Sequence, residues 1–212
     1  HTDAGVQLRT IAEDGGDALL GARVAINGSW AMVGAPAAGR RPGAVYVYER
    51  GDFGVWPQGP HQILEALDPD ADAQFGRRVA MSGNWAAIGA PYDDSAGKDK
   101  GAVYLFKQGA NGEWTQRQKI MASDGAVNDA FGDALAIRGE TLLVGAALED
   151  EIEAEMRGAV YVFNLNANGE WTPGPKLVAD PFVANARFGY SVALGEDRAI
   201  IGAYRHTLEG RQ

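Results

Sequence analysis

Apolar residues run along this chain in short bursts, as in Val45-Tyr46-Val47-Tyr48, Trp85-Ala86-Ala87-Ile88 and Ala102-Val103-Tyr104-Leu105-Phe106. Such β-branched and aromatic runs suit strands. Side chains alternate across a strand, so Val45 and Val47 face one way and Tyr46 and Tyr48 the other. Both faces are then apolar, and a strand of this kind is covered on both sides. Tight-turn signals separate the bursts: Asn27-Gly28, Ser82-Gly83 and Arg138-Gly139, with a looser equivalent at 195–197. Asn-Gly is among the strongest two-residue hairpin signals. No segment long enough for a helix carries a 3.6-residue period. The nearest, 148–156, is too acidic to pack.

The bursts repeat. Phe75-Gly76, Phe131-Gly132 and Phe188-Gly189 recur, with Leu20-Gly21 as a variant, at glycine spacings of 55, 56 and 57. Thirteen residues after each glycine comes a second mark: Gly34-Ala35-Pro36, Gly89-Ala90-Pro91, Gly145-Ala146-Ala147 and Gly202-Ala203-Tyr204. A third reads Gly43-Ala44-Val45-Tyr46, Gly101-Ala102-Val103-Tyr104 and Gly158-Ala159-Val160-Tyr161. Trp56, Trp114 and Trp171 form a fourth. Marks held in phase over such a period define a repeat architecture.

Each repeat predicts four strands, illustrated by 78–81, 85–88, 102–106 and 117–121. A four-stranded antiparallel sheet covered on both faces by copies of itself is a propeller blade. Ala25, Ala80, Ala136 and Ala193 in the first strands suit a crowded axis. A β-sandwich also uses short strands, but it does not require phased marks. The expected fold is therefore all-β, a β-propeller forming one region over 1–212. Its parts are a partial blade at 1–20, repeats at 21–75, 76–131 and 132–188, and a partial repeat at 189–212. The segments 6–12 and 198–203 read as a fourth strand and a second strand belonging to cut blades.

Composition sharpens this picture. Glycine supplies 29 of 212 residues, about twice its usual share of ~7%. Nineteen Lys+Arg against 28 Asp+Glu give a net charge of −9. That argues against nucleic acid, which calls for clustered cations. With no cysteine, disulfides, thiol chemistry and cysteine-held metals are excluded. No apolar run is long enough for a transmembrane helix.

The Phe-Gly, Gly-Ala-Pro and Gly-Ala-Val-Tyr marks together resemble the FG-GAP repeat family, the type of the integrin α-chain N-terminal propeller. The resemblance covers essentially the whole chain. It implies a propeller, usually of seven blades, in secreted or cell-surface proteins that bind proteins or glycans rather than catalyse. Asp-Gly ahead of Phe-Gly, and the Trp-x-x-x-x-Lys-Ile run before that, look like the bacterial secreted branch. Two departures stand out. The chain holds fewer than four repeats, so the rest of its own polypeptide or neighbouring subunits are expected at both cut ends. The family's calcium loop, an Asp-x-Asp-x-Asp-Gly hairpin between Phe-Gly and Gly-Ala-Pro, is trimmed here to two or three residues, and that site does not carry over.

The remaining chemistry is sparse. Asp68, Asp70 and Asp72 alternate as calcium ligands do, but Ala73 stands where a turn glycine is expected. They are the calcium candidates; no other cofactor is expected. An Asp or Asn four residues before each Phe-Gly glycine (Asp17, Asp72, Asn128, Asn185) reads as an Asx turn between blades. Loops between second and third strands vary most, and binding tends to live on such loops. The docking candidates are Asp93, Asp94 and Asp99, and the acidic run Glu149, Asp150, Glu151, Glu153 and Glu155. Gly189-Tyr190-Ser191 lacks the last glycine of a nucleophile elbow, and His1, His61 and His206 are scattered. Gly97-Lys98 is no phosphate loop, and Asn27-Gly28-Ser29 is explained by its turn. The tryptophans could stack on sugars, but their phase favours packing between blades.

The reading is a non-enzymatic extracellular interaction or adhesion module with a protein or glycan partner. One alternative is a structural subunit of a surface filament or array, completed by neighbouring chains. Another is an accessory propeller of a larger secreted hydrolase or lyase.

Overall fold

The computed structural model describes residues 19–36, 42–68, 70, 72–148, 157–181 and 185–204. It is built of antiparallel sheets in chain order. The first comprises β1 (Arg23–Asn27), β2 (Trp30–Ala35), β3 (Ala44–Glu49) and β4 (Gln62–Leu64). The second comprises β5 (Arg78–Ser82), β6 (Trp85–Ala90), β7 (Ala102–Gln108) and β8 (Trp114–Ile120). The third comprises β9 (Ala134–Arg138), β10 (Thr141–Ala146), β11 (Ala159–Leu165) and β12 (Trp171–Leu177). β13 (Phe188–Leu194) and β14 (Ala199–Ala203) pair as a fourth. Each sheet follows sequence order, as propeller blades do, and the molecule is a partial propeller. The expected strand at 6–12 lies outside the described residues.

The first strands β1, β5, β9 and β13 lie next to one another. Their hairpins are tied together at one end. Asn27 Nδ2 donates to the Gly83 carbonyl at 2.8 Å, the Gly139 N–H to Ser82 Oγ at 3.0 Å, and Arg138 to Glu196 at 3.0 Å. Asn27 pairs with Trp30, so it is the last strand residue and Gly28 takes the first loop position. The turn thus falls one residue later than its Asn-Gly spelling suggests. Gly28, Gly83 and Gly139 all have φ near +60° (61°, 57° and 55°), which glycine adopts without steric cost.

Two-sided burial is borne out on β7. Tyr104 and Phe106 join Met32, Val45, Val47 and Leu64 of the first sheet. Val103 and Leu105 join Leu142, Val144 and Phe163 of the third. Tryptophans rivet neighbouring sheets edge to face: Trp30 on Trp114 with centroids 6.2 Å apart, and Trp85 on Trp171 at 5.7 Å. Trp114 and Trp171 are buried, so packing is their role. Trp56 stands outside the strands, ahead of β4, because the first repeat carries extra residues there.

The marks are sheet-to-sheet contacts. A Cβ on Gly34, Gly89 or Gly145 would come within 3 Å of the carbonyl oxygen of Gly76, Gly132 or Gly189 in the following sheet. Phe75, Phe131 and Phe188 donate their N–H groups to the carbonyls of Pro42, Lys100 and Arg157 in the preceding sheet, at 2.8, 3.0 and 2.9 Å. Phe75 and Phe131 are fully buried. The Phe-Gly of one sheet therefore docks on the Gly-Ala-Pro and Gly-Ala-Val-Tyr of the one before.

On the outermost strands some apolar side chains are exposed among the described residues, although Val33 and Tyr48, on the same face of the first sheet as Val24 and Ile26, are buried. Val24 and Ile26 on β1 are 70% and 67% exposed, and Ile200 on β14 is 72% exposed. Register puts Val24 and Ile26 on the face turned away from the second sheet.

Candidate functional site

The long loops emerge at the end of the axial strands opposite the short hairpins. There the second sheet builds an ion network. Lys119 Nζ lies 2.8 Å from Asp68 Oδ2 and 3.0 Å from Asp93 Oδ2, and 4.9 Å from the Tyr104 ring centroid. The Tyr104 hydroxyl donates to Asp93 Oδ2 at 2.7 Å, and the Ser95 hydroxyl donates to Asp93 Oδ1. Asp93 is 1% exposed. Burial works to raise its carboxyl, but the donors Ser95, Tyr104 and Lys119 hold it below the usual carboxylate range. Burial works to lower Lys119, and Asp68, Tyr104 and Asp93 more than reverse this, so the ammonium stands above its ordinary value. Burial, aided by Asp93, pushes the Tyr104 phenol up. The third sheet repeats the motif. Lys176 sits 2.8 Å from Asp124 Oδ2, and Tyr161 donates to Asp124 Oδ1 at 2.9 Å.

These placements locate the sequence candidates. Asp68 faces Lys119, while Asp70 Oδ2 accepts the Asp94 N–H at 2.6 Å. Asp72 is exposed on the connection to the second sheet. No group of three His, Asp or Glu residues with metal-holding geometry occurs among the described residues. Asp93 is turned inward. Asp94 Oδ1 accepts the Asp99 N–H at 2.6 Å, so both belong to the loop's own turn. Glu149, Asp150, Glu151, Glu153 and Glu155 lie outside the described residues. Asn128 and Asn185 adopt left-handed φ of 69° and 60°, a conformation Asn tolerates well. Ser191 lies on β13. His61 packs edge to face on Trp30, within 4 Å of Glu49 and Glu113.

The sequence reading missed one feature. At the loop end of the axial strands a cavity of about 410 Å³ is lined by Arg23, Arg77, Arg78, Arg187, Asp133 and Tyr92, among others. Asp133 Oδ1 takes Arg77 Nε at 2.9 Å and Arg78 Nη2 at 3.1 Å. The Arg77 guanidinium lies over the Tyr92 ring at 5.4 Å, and Arg187 over Tyr204 at 5.6 Å. Burial, seconded by the charges of Arg23 and Arg77 and opposed by Asp133, pulls Arg78 below its ordinary range. Phase would have found the set. Ala22, Arg77, Asp133 and Tyr190 each follow a Phe-Gly-type glycine, and Arg23 and Arg78 come one residue later.

The interlocked sheets and their marks define the class. The FG-GAP repeat model matches residues 60–106, 114–163 and 171–212, and the chain belongs to that family. Integrin alpha-3 of Mus musculus is 33% identical over 99 residues, which cover 44% of this chain and 9% of the integrin. The chain thus matches a small part of that relative.

Proposed function

We propose that this chain is a non-enzymatic extracellular module of the adhesion type, which presents its loop end to a protein partner. The observation carrying this reading is the asymmetry of the scaffold. Glycine contacts lock the sheets together, the hairpins at one end are minimal, and the connections from second to third strands leave and rejoin the sheets at the other. A rigid framework with loops on one face is the usual arrangement of a binding surface. Family membership and the likeness to an integrin α chain support it. The test is retention of extracellular-matrix proteins on the immobilised 212-residue chain, beside a variant whose residues 94–98 are replaced by Gly-Ser. Binding lost in the variant at unchanged melting temperature supports the proposal. Absence of any retained protein, or equal retention by the variant, counts against it.

The exposed Val24, Ile26 and Ile200 favour a second reading about assembly. Apolar faces of this kind mark interaction surfaces, and further sheets of the same polypeptide or of a neighbouring copy would cover them. Light scattering on the isolated chain is expected to show self-association. A monodisperse 22.4 kDa species with β1 and β14 protected from hydrogen exchange would refute it.

A further inference from the structure

The chain contains the Asn-Gly pairs Asn27-Gly28, Asn111-Gly112 and Asn168-Gly169. A glycine after asparagine has no Cβ to shield its peptide nitrogen, and its backbone turns freely. That nitrogen can therefore close on the asparagine side-chain carbonyl carbon. The fold treats the pairs differently. The Gly112 N–H donates to the Gly109 carbonyl at 3.1 Å, and the Gly169 N–H to the Asn166 carbonyl at 3.0 Å. Both glycines are half-buried, and a Cβ on Gly112 would stand 3.5 Å from the Trp30 ring. Gly28 is exposed at the tip of its hairpin, with nothing among the described residues within 4 Å of its Cβ position.

Asn27 also joins two sheets, through the bond from its Nδ2 to the Gly83 carbonyl at 2.8 Å. The residues in phase with it, each directly before a turn glycine, are Ser82 and Arg138. Ser82 Oγ accepts the Gly139 N–H, and Arg138 donates to Glu196. Neither of those ties depends on an amide that can be lost. We propose that Asn27 is a site of spontaneous deamidation, and that its conversion releases the hairpin tie between the first and second sheets. The Gly28 nitrogen gives up its proton and bonds to Asn27 Cγ, the Cγ–Nδ2 bond breaks, and ammonia leaves. Water then opens the cyclic imide. Opening at the side-chain carbonyl gives an aspartate, with a carboxylate oxygen where Nδ2 had donated to Gly83. Opening at the main-chain carbonyl gives isoaspartate, which lengthens the backbone at the residue paired with Trp30. Either product removes the donor that Gly83 had.

The folded 212-residue chain is aged at mildly alkaline pH and mapped by peptide mass spectrometry, beside a sample aged in urea. In the folded chain, conversion at Asn27 should outrun that at Asn111 and Asn168 by about two- to tenfold, the factor for one backbone hydrogen bond that the other pairs must break. In urea the rates should converge. Ageing should lower the urea midpoint of the folded protein and speed hydrogen exchange over 23–27. Asn27→Asp should lower the midpoint without ageing. Asn27→Ser has no amide to lose and can accept the Gly83 N–H as Ser82 accepts that of Gly139, so ageing should leave its midpoint unchanged. Conversion at Asn27 no faster than at Asn111 and Asn168 in the folded chain overturns the proposal. So does a preference for Asn27 that persists in urea, since its cause is then the local sequence. A midpoint that stays fixed once Asn27 is converted, or that falls equally in aged wild type and aged Asn27→Ser, also overturns it.

Discussion

Replacing Gly89 by alanine adds one methyl group at the centre of the molecule. Gly89 lies on β6, paired on one side with Arg78 and on the other with Val103. Its φ is not in the positive range, so alanine carries no backbone penalty and the effect is purely steric. The new Cβ would come within 3 Å of the Gly132 carbonyl oxygen and stand 3.2 Å from Arg78 Cβ. Carbon contacts are best at about 3.5–4.0 Å, and a gap of 0.5–1 Å forfeits roughly a quarter to a half of each contact's attraction. Neither neighbour can rotate away, because both are held in strands or in the Phe-Gly turn. The second and third sheets must therefore separate by roughly 1 Å along an interface packed with Val103, Leu105, Phe131 and Leu142. Overpacking a well-packed core costs about 1–3 kcal/mol and occasionally more. The rigid backbone on both sides puts Gly89→Ala near 3 kcal/mol, or about 6–12 °C in melting temperature for a chain of this size.

Gly59→Ala is the control. It adds the same methyl group where nothing lies within 4 Å and φ is not positive, so it should be neutral or stabilise by up to about 1 kcal/mol. Urea titration gives the free energies. The Trp85–Trp171 pair spans the same interface, and its fluorescence should change in Gly89→Ala but not in Gly59→Ala. A Gly89→Ala protein within about 1 kcal/mol of wild type would show that the Gly-Ala-Pro glycine does not set the sheet spacing.

Asp93→Asn should cost roughly 3 kcal/mol at neutral pH, as breaking a buried ion pair does. The folded-state carboxyl is depressed, so its stabilisation is present above the unfolded value near 3.9 and is lost as pH falls through the folded one. The urea midpoints of wild type and variant should accordingly converge below about pH 4, and a gap constant down to pH 2 would contradict the assignment. Gln118 donates to the Trp171 carbonyl at 2.8 Å and accepts its N–H at 2.9 Å, and Gln62 does the same for Trp114. Gln118→Ala should cost about 1–3 kcal/mol through the stranded backbone groups. The Gln62→Ala effect should add to it, because a different interface is involved, and urea midpoints of the single and double variants check both statements.

The scaffold was legible because its constraints are local and repeat. A glycine where no Cβ fits and a small turn recur from unit to unit, with a buried phenylalanine at Phe75 and Phe131. The fourth strands were harder. β8 begins at Trp114 rather than at 117, because its run Thr115-Gln116-Arg117-Gln118 is polar and shows no apolar alternation. Gln118 is polar for a reason that appears only when the sheets stack, since its amide satisfies the backbone of the next sheet. Asp68 likewise reads as a calcium ligand within its own acidic run, while its partner Lys119 arrives a full repeat later. A charge that is compensated across repeats cannot be recognised from its own neighbourhood.

The same logic separates what each repeat must keep from what it can vary. Phe75-Gly76, Phe131-Gly132 and Phe188-Gly189 are held by contacts that admit no larger atom. The next residue in each repeat is under no such constraint and is Arg77, Asp133 or Tyr190, all lining the axial cavity. Substitution there alters the charge of the mouth without touching the interlock. At the equivalent place in the first repeat the residue is Ala22.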